Sequence, residues 1–315
     1  MRPVSVEKQE ARSNQRVAAV DWLPASEYPF EHRFIEVESN RIHYVDEGAG
    51  PALLLVNVGE WSFIFRDLIL RLRGTFRCVA PDFPGLGLSE AAPGYEPTIP
   101  NNSRILETFV DRLGLRDATL LVHDIGGPVG LGLAARRPEL FRALVISQTF
   151  AWPLREYPWI RRALRFVSGS LSQFVNVNFN LMFAVSATSF GVGRHLSAEG
   201  RRAFLVPWRR HAARMMTLRN LGSALTADAW LDEVARAVDT TLNALPVLTV
   251  FGERNDPAHW QARYARAFSN VRSMTVPGGN HFPFADDPDL VADEVIRWWR
   301  EAVAAEGAHS DRRSA

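Results

Sequence analysis

Leu120-Leu121-Val122-His123-Asp124-Ile125-Gly126-Gly127 is the stretch that decides how this chain folds. A short apolar run meets an acidic residue, then two glycines, then Pro128, where a helical pattern begins. That is a buried strand running through a tight turn into a helix, the setting in which a strained turn lifts one side chain above a sheet. Gly126 allows the turn to close. The helix N-terminus behind it favours an anion, so Asp124 is expected to stay ionised and nucleophilic. An aspartate ahead of a helix is also a common N-cap, and the local motif alone leaves both roles open.

Outward from this stretch, β-type runs alternate with helical segments. Strands are expected near 33–39, 41–47, 52–57, 77–82, 118–123, 142–148, 246–252 and 272–276. The first two suggest a hairpin around Ser39-Asn40. Runs such as Leu53-Leu54-Leu55-Val56 and Val247-Leu248-Thr249-Val250-Phe251 are almost continuously apolar, as in parallel strands covered on both faces. Helices are expected near 62–73, 102–113, 127–136, 258–268 and 287–303. The alternation predicts a doubly wound α/β sheet. It breaks between 152 and 232, a segment rich in Arg, Phe and Trp that reads as a helical cap inserted between core segments 28–151 and 233–303. Residues 1–27 read as an N-terminal extension and 304–315 as a flexible tail.

Two later segments end at the same sheet edge as Asp124. Val276-Pro277-Gly278-Gly279-Asn280-His281 follows the last expected strand, and Phe251-Gly252-Glu253-Arg254-Asn255-Asp256-Pro257 follows the one before. Doubly wound sheets bind ligands at that carboxyl edge. Asp256 is the expected partner that orients His281, with Glu253 as its competitor. Nucleophile, acid and histidine then follow in the chain order of an α/β-hydrolase triad. His123 is expected to support the turn rather than to face the pocket.

The 315 residues are 47% apolar and 23% charged, with a formal net charge of +1. That balance gives no electrostatic case for nucleic acid or an anionic membrane as partner. Clustered arginines, such as Arg161, Arg162 and Arg165, read as a solvated face. The lone cysteine, Cys78, lies in a strand-like run and reads as a small buried hydrophobe. No signal-type h-region or membrane-length apolar run is present, so a cytoplasmic protein is expected, monomeric or weakly dimeric. No metal-ligand spacing and no opening Gly-x-Gly-x-x-Gly appear, and no cofactor is expected.

The sequence resembles the haloalkane dehalogenase family, in the dehalogenase and epoxide hydrolase branch of the α/β-hydrolase fold. The likeness runs through Ile42-His43-Tyr44-Val45-Asp46-Glu47-Gly48, Pro81-Asp82-Phe83-Pro84-Gly85, His123-Asp124-Ile125-Gly126-Gly127-Pro128, Thr149-Phe150-Ala151-Trp152-Pro153 and Gly279-Asn280-His281-Phe282. It implies a mostly parallel eight-stranded sheet flanked by helices, with a helical cap. It also implies hydrolysis through an alkyl ester on Asp124, with His281 activating water and the backbone N–H groups of Ile125 and Val58 holding the oxyanion. Small apolar substrate and water are the implied partners.

The chain departs from the family at two positions. A tryptophan usually follows the nucleophile and an asparagine usually stands in the oxyanion loop, both as halide donors. Here Ile125 and Val58 occupy those positions, and neither side chain carries a donor. Asn57, Trp61, Trp152, or one of Trp159, Trp208 and Trp230, is then expected at the leaving group or pocket wall. Epoxide hydrolysis needs cap tyrosines, of which there is one, Tyr157. Glu60 reads either as a surface helix cap or as an acid for another leaving group. A non-hydrolytic biosynthetic enzyme and a ligand-binding protein on the same scaffold remain alternatives.

Overall fold

Strands that are apolar on both faces need helices on both sides, and the computed structural model, which describes residues 15–17 and 20–304, has that arrangement. One sheet runs in the order β1-β2-β3-β5-β4-β6-β7-β8-β9. Its strands are β1 Gln15–Val17, β2 His32–Val37, β3 Asn40–Glu47, β4 Ala52–Asn57, β5 Arg77–Pro81, β6 Ala118–His123, β7 Phe141–Ser147, β8 Val247–Gly252 and β9 Val271–Val276. The eight expected strands are present. β1 adds a ninth, antiparallel to β2, inside the segment read as an extension. From β5 onward in the sheet order, every pairing is parallel. The other residues of 1–19, and the expected tail from 305, lie outside the described residues.

Helices α1 Arg66–Leu72, α2 Ile99–Arg112 and α3 Gly126–Arg136 cover the first half of the sheet. Successive residues of β6 point to opposite layers: Leu120 and Val122 join Phe109 and Leu133, whereas Leu121 joins Leu68 and Val295. Six α-helices lie between β7 and β8: α4 Pro158–Val167, α5 Ser170–Phe179, α6 Leu181–Ser186, α7 Ala198–Leu205, α8 His211–Ser223 and α9 Asp228–Asp239. The core then resumes with α10 Trp260–Ala267, α11 Pro283–Asp286 and α12 Pro288–Trp298. α2 starts three residues before its expected position because Thr98 caps it, accepting from the Asn101 N–H at 3.2 Å.

Strand order reverses at β4, which pairs with both β5 and β6. Asn57 and His123 are register partners at the carboxyl ends of β4 and β6. That is the topological switch point, where the two crossovers part and leave a crevice. Asp82 shapes its rim. The buried carboxylate accepts from the Ser62 N–H at 2.7 Å, the Leu88 N–H at 2.9 Å and His43 Nδ1 at 2.9 Å. It thereby fixes the start of the segment after β4. Burial opposes its charge, but His43 and the two N–H donors hold its pKa below the ordinary value.

The turn after β6 is tight. A Cβ at Gly126 would overlap the Val56 carbonyl oxygen, and one at Gly127 would overlap the Thr149 hydroxyl. Gly126→Ala should therefore cost about 1–3 kcal/mol through forced backbone movement. Gly74→Ala, where no atom lies within 4 Å of the added carbon, should change stability by no more than about 0.5 kcal/mol. Urea denaturation of both variants checks the contrast.

Candidate active site

Asp124 sits at φ 49°, in the left-handed region that a non-glycine residue enters only under constraint. Gly126 and Gly127 supply the constraint by bringing the turn against β4 and Thr149. The Thr149 hydroxyl adds a hydrogen bond to the Asp124 carbonyl. Asp124 does not serve as the side-chain cap of α3, for no side-chain cap bond is present there. Its carboxylate instead faces His281, with Oδ2 3.7 Å from Nε2. Burial opposes the Asp124 charge. His281 and the Ile125 backbone N–H outweigh it and hold the pKa below the ordinary carboxylate value. Burial likewise opposes a charged His281, and the Asp124 carboxylate outweighs it, raising the imidazole's pKa.

The expected third member does not occupy the third position. The Asp256 carboxylate accepts from the N–H groups of Trp260 and Gln261, at 2.8 and 3.0 Å, and so caps the first turn of α10. An Asp-Pro pair before a helix projects its carboxylate onto that helix rather than into the loop. The group beside His281 is the preceding residue: the Asn255 side-chain amide lies 3.1 Å from Nδ1. The atom in contact is Asn255 Nδ2, which donates to the ring nitrogen and leaves the ring N–H on Nε2, toward Asp124. Glu253 is engaged elsewhere, accepting from the Gly278 N–H at 2.7 Å and pinning the turn that carries His281. Gln148, just past β7, supports Asn255 by donating to its carbonyl and accepting from the Gly252 N–H.

Glu60 is neither on the surface nor a cap. It is buried, 8% exposed, in the segment between β4 and α1. Burial first, and the Asp124 charge second, push its pKa up to about 7. A polar chain leads from it into the site. The Asn57 amide bridges Glu60 Oε2, at 3.1 Å, and His123 Nδ1, at 2.9 Å. His123 Nε2 lies 2.8 Å from the His281 carbonyl oxygen. Burial and the neighbouring His281 push the His123 pKa down to about 3, so its ring is neutral with one N–H. Asn57 Nδ2 donates to Glu60 Oε2, and Asn57 Oδ1 faces His123 Nδ1. The single ring N–H of His123 serves one of its two acceptors, Asn57 Oδ1 or the His281 carbonyl.

The cavity above Asp124 measures about 250 Å³. Phe150, Phe251 and Trp260 come to it from the core, and Trp159, Ile160 and Leu164 from α4. The expected halide donors are committed elsewhere. The Trp61 indole donates to the Phe204 carbonyl at 3.2 Å, and Asn57 belongs to the Glu60 chain. Trp152 packs on Tyr264 and under Arg263, outside the cavity wall. Trp208 donates to Thr217 and Trp230 to the Pro128 carbonyl. Trp159 lines the cavity but is half exposed. Trp260, which motif reading passed over, lines the cavity with a buried indole N–H that has no hydrogen-bond partner. Its one sequence signal is its place in the first turn of the helix after β8. Among the described residues, no group of three or more His, Cys, Asp or Glu is placed to hold a metal ion.

A model of the alpha/beta hydrolase family matches residues 49–294. A protein named haloalkane dehalogenase 2, from Mycobacterium tuberculosis, is 32% identical over 283 residues, spanning 88% of this chain and 98% of its own. A cis-3-alkyl-4-alkyloxetan-2-one decarboxylase from Shewanella oneidensis is 36% identical over 196 residues, 61% of this chain and 62% of that one. Among solved structures, a haloalkane dehalogenase loop variant from Bradyrhizobium elkanii superposes with a TM-score of 0.74 at 23% identity, covering 88% of this chain and 98% of that one.

Protonation of Glu60 has a measurable signature. Its folded pKa of about 7 lies above its ordinary 4.5, so its share of stability is fully present below pH 4.5 and lost as pH rises through 7. Glu60→Gln should gain stability relative to the native protein across that window, by on the order of 3 kcal/mol at pH 8. Denaturant titrations at pH 5 and pH 8 measure the difference.

Proposed function

For a chain that belongs to the alpha/beta hydrolase family, and within it to the haloalkane dehalogenases, we propose hydrolytic displacement at saturated carbon with Asp124 as the nucleophile. The observation that carries this reading is the ionised Asp124 carboxylate, raised on its turn and 3.7 Å from His281 Nε2. A carboxylate displaces a leaving group from saturated carbon and forms an alkyl ester. In the first step, Asp124 Oδ bonds to the substrate carbon as the carbon–halogen bond breaks and halide departs. Esterification removes the charge that raised the His281 pKa. Without that charge the neutral imidazole, the form that can act as base, is favoured. It takes a proton from water, which attacks the ester carbonyl carbon. The N–H groups of Ile125 and Val58 hold the resulting oxyanion. Collapse passes the His281 proton to the departing alcohol oxygen and leaves Asp124 as the acid with one oxygen from water. Loss of its proton to solvent restores the carboxylate, so the net products are alcohol, halide and one proton. Asn255, in place of Asp256, orients the His281 ring.

The departing halide needs a donor, because an unsolvated anion in an apolar cavity is costly. The Trp260 indole N–H is the group we assign to it, since it is buried, unpartnered and on the cavity wall. The helices between β7 and β8 act as the cap over a small apolar substrate. A cytoplasmic setting fits the single buried thiol, Cys78.

A second reading is favoured by the donor-free side chains of Ile125 and Val58 and by the decarboxylase relative. In an oxetan-2-one the leaving group at the ring C–O carbon is the substrate's own carboxylate. Asp124 would attack that carbon and open the ring. Loss of carbon dioxide would then form the alkene and expel Asp124, with no water consumed and no halide to bind.

Haloalkanes and dialkyl oxetan-2-ones offered to the native protein separate the two. Halide release that Asp124→Asn abolishes, with a single turnover in ¹⁸O-water labelling Asp124 and not the alcohol, supports the first. Alkene and carbon dioxide without halide would overturn it in favour of the second. Under the first reading, Trp260→Phe should lower kcat about 100-fold, the cost of one lost anion donor.

A further inference from the structure

Nine large hydrophobic side chains are conspicuously exposed among the described residues, and eight of them fall between Trp159 and Phe190. They are 49–78% exposed. Scattered single cases need no explanation, but a concentration of this kind marks an interaction surface. Helical periodicity concentrates them further. Trp159 and Phe166 share a face of α4, Leu171 and Phe174 a face of α5, and Leu181 and Val185 a face of α6. A surface helix of a globular protein buries its apolar stripe. α9 does so with Leu231, Val234 and Val238, whereas α4 has no fully buried residue. The outward faces of α4 to α6 are therefore apolar where water would select polar residues.

Charge identifies what covers them. Residues 152–232 hold eleven arginines against four acidic residues, Glu156, Glu199, Asp228 and Asp232, a formal +7 in a chain whose total is +1. Arg155 and Arg161 are paired with Asp232 and Asp228. Arg162 and Arg165, on the same helix as Trp159 and Phe166, are exposed and make no ion pair among the described residues. A second copy of the chain would bring the same positive surface against itself. An anionic lipid bilayer complements both the charge and the apolar faces. No helix among the described residues is long and apolar enough to cross a membrane, so the contact is one of lying on the surface. The patch is also continuous with the cavity, since Trp159 belongs to both, and its α4 neighbours Ile160 and Leu164 line the wall above Asp124.

We propose that the apolar, arginine-flanked faces of α4, α5 and α6 seat this protein on an anionic lipid surface, with the cavity mouth turned toward the acyl chains. An apolar substrate dissolved in the bilayer then reaches Asp124 without crossing water.

The test is co-sedimentation of the full chain with phosphatidylcholine vesicles, with and without phosphatidylglycerol. Binding should be at least about tenfold stronger to the anionic vesicles and should weaken as salt rises. The double variant Phe166→Ser, Phe174→Ser should lose about tenfold in vesicle binding. It should keep its melting temperature and its turnover of a water-soluble substrate. Absence of sedimentation with either vesicle type overturns the proposal. So does a dimer, seen by light scattering, that the double variant abolishes, because the patch is then covered by a second copy.

Discussion

The left-handed backbone at Asp124 is the constraint on which the rest of the site depends. A side chain held there stands clear of the sheet only because the turn behind it closes against β4, and Gly126 and Gly127 leave no room for a Cβ. The same closure brings Ile125 N–H to the carboxylate and sets the start of α3. Everything that touches Asp124 is positioned relative to this turn. For the proposed displacement the rigidity matters, since attack at carbon is sensitive to the line of approach and a loosely held carboxylate would lose that alignment.

Around the turn lies a buried polar chain whose members are legible only as a set. Glu60, Asn57, His123 and the His281 carbonyl form a chain of hydrogen bonds in which each donor must find an acceptor. The low pKa of His123 and the high pKa of Glu60 have one origin, burial, which drives an imidazole and a carboxylic acid alike toward their neutral forms. Asp124 remains charged because His281 faces it. One anion is therefore kept and a second suppressed within a small volume, an arrangement of unlike carboxyl environments that suits acid–base work.

The helices between β7 and β8 carry two kinds of surface that a net charge conceals. Their inner faces supply apolar wall to the cavity through Ile160, Leu164 and Leu221. Their outer faces carry exposed Phe, Leu and Trp among arginines. The core balances that positive charge with its own acidic excess, so composition averaged over the whole chain reads as neutral. The relation between cavity and surface is spatial and has no counterpart in any single motif.

The sequence by itself determined the parallel sheet, the strand–turn–helix at 118–136, and the placement of Asp124 and His281 at one sheet edge. These follow from burial periodicity and from the sterics of a short turn, which act over a few neighbouring residues. Only the tertiary structure decided which of Asn255 and Asp256 meets His281, because adjacent side chains in a loop point in different directions and α10 claims the carboxylate. It also decided that Trp61 and Asn57 spend their donors on Phe204 and the Glu60 chain, while Trp260 keeps one unspent. Glu60 becomes a buried acid for the same reason: its surroundings come from segments distant in sequence, and no local pattern records them.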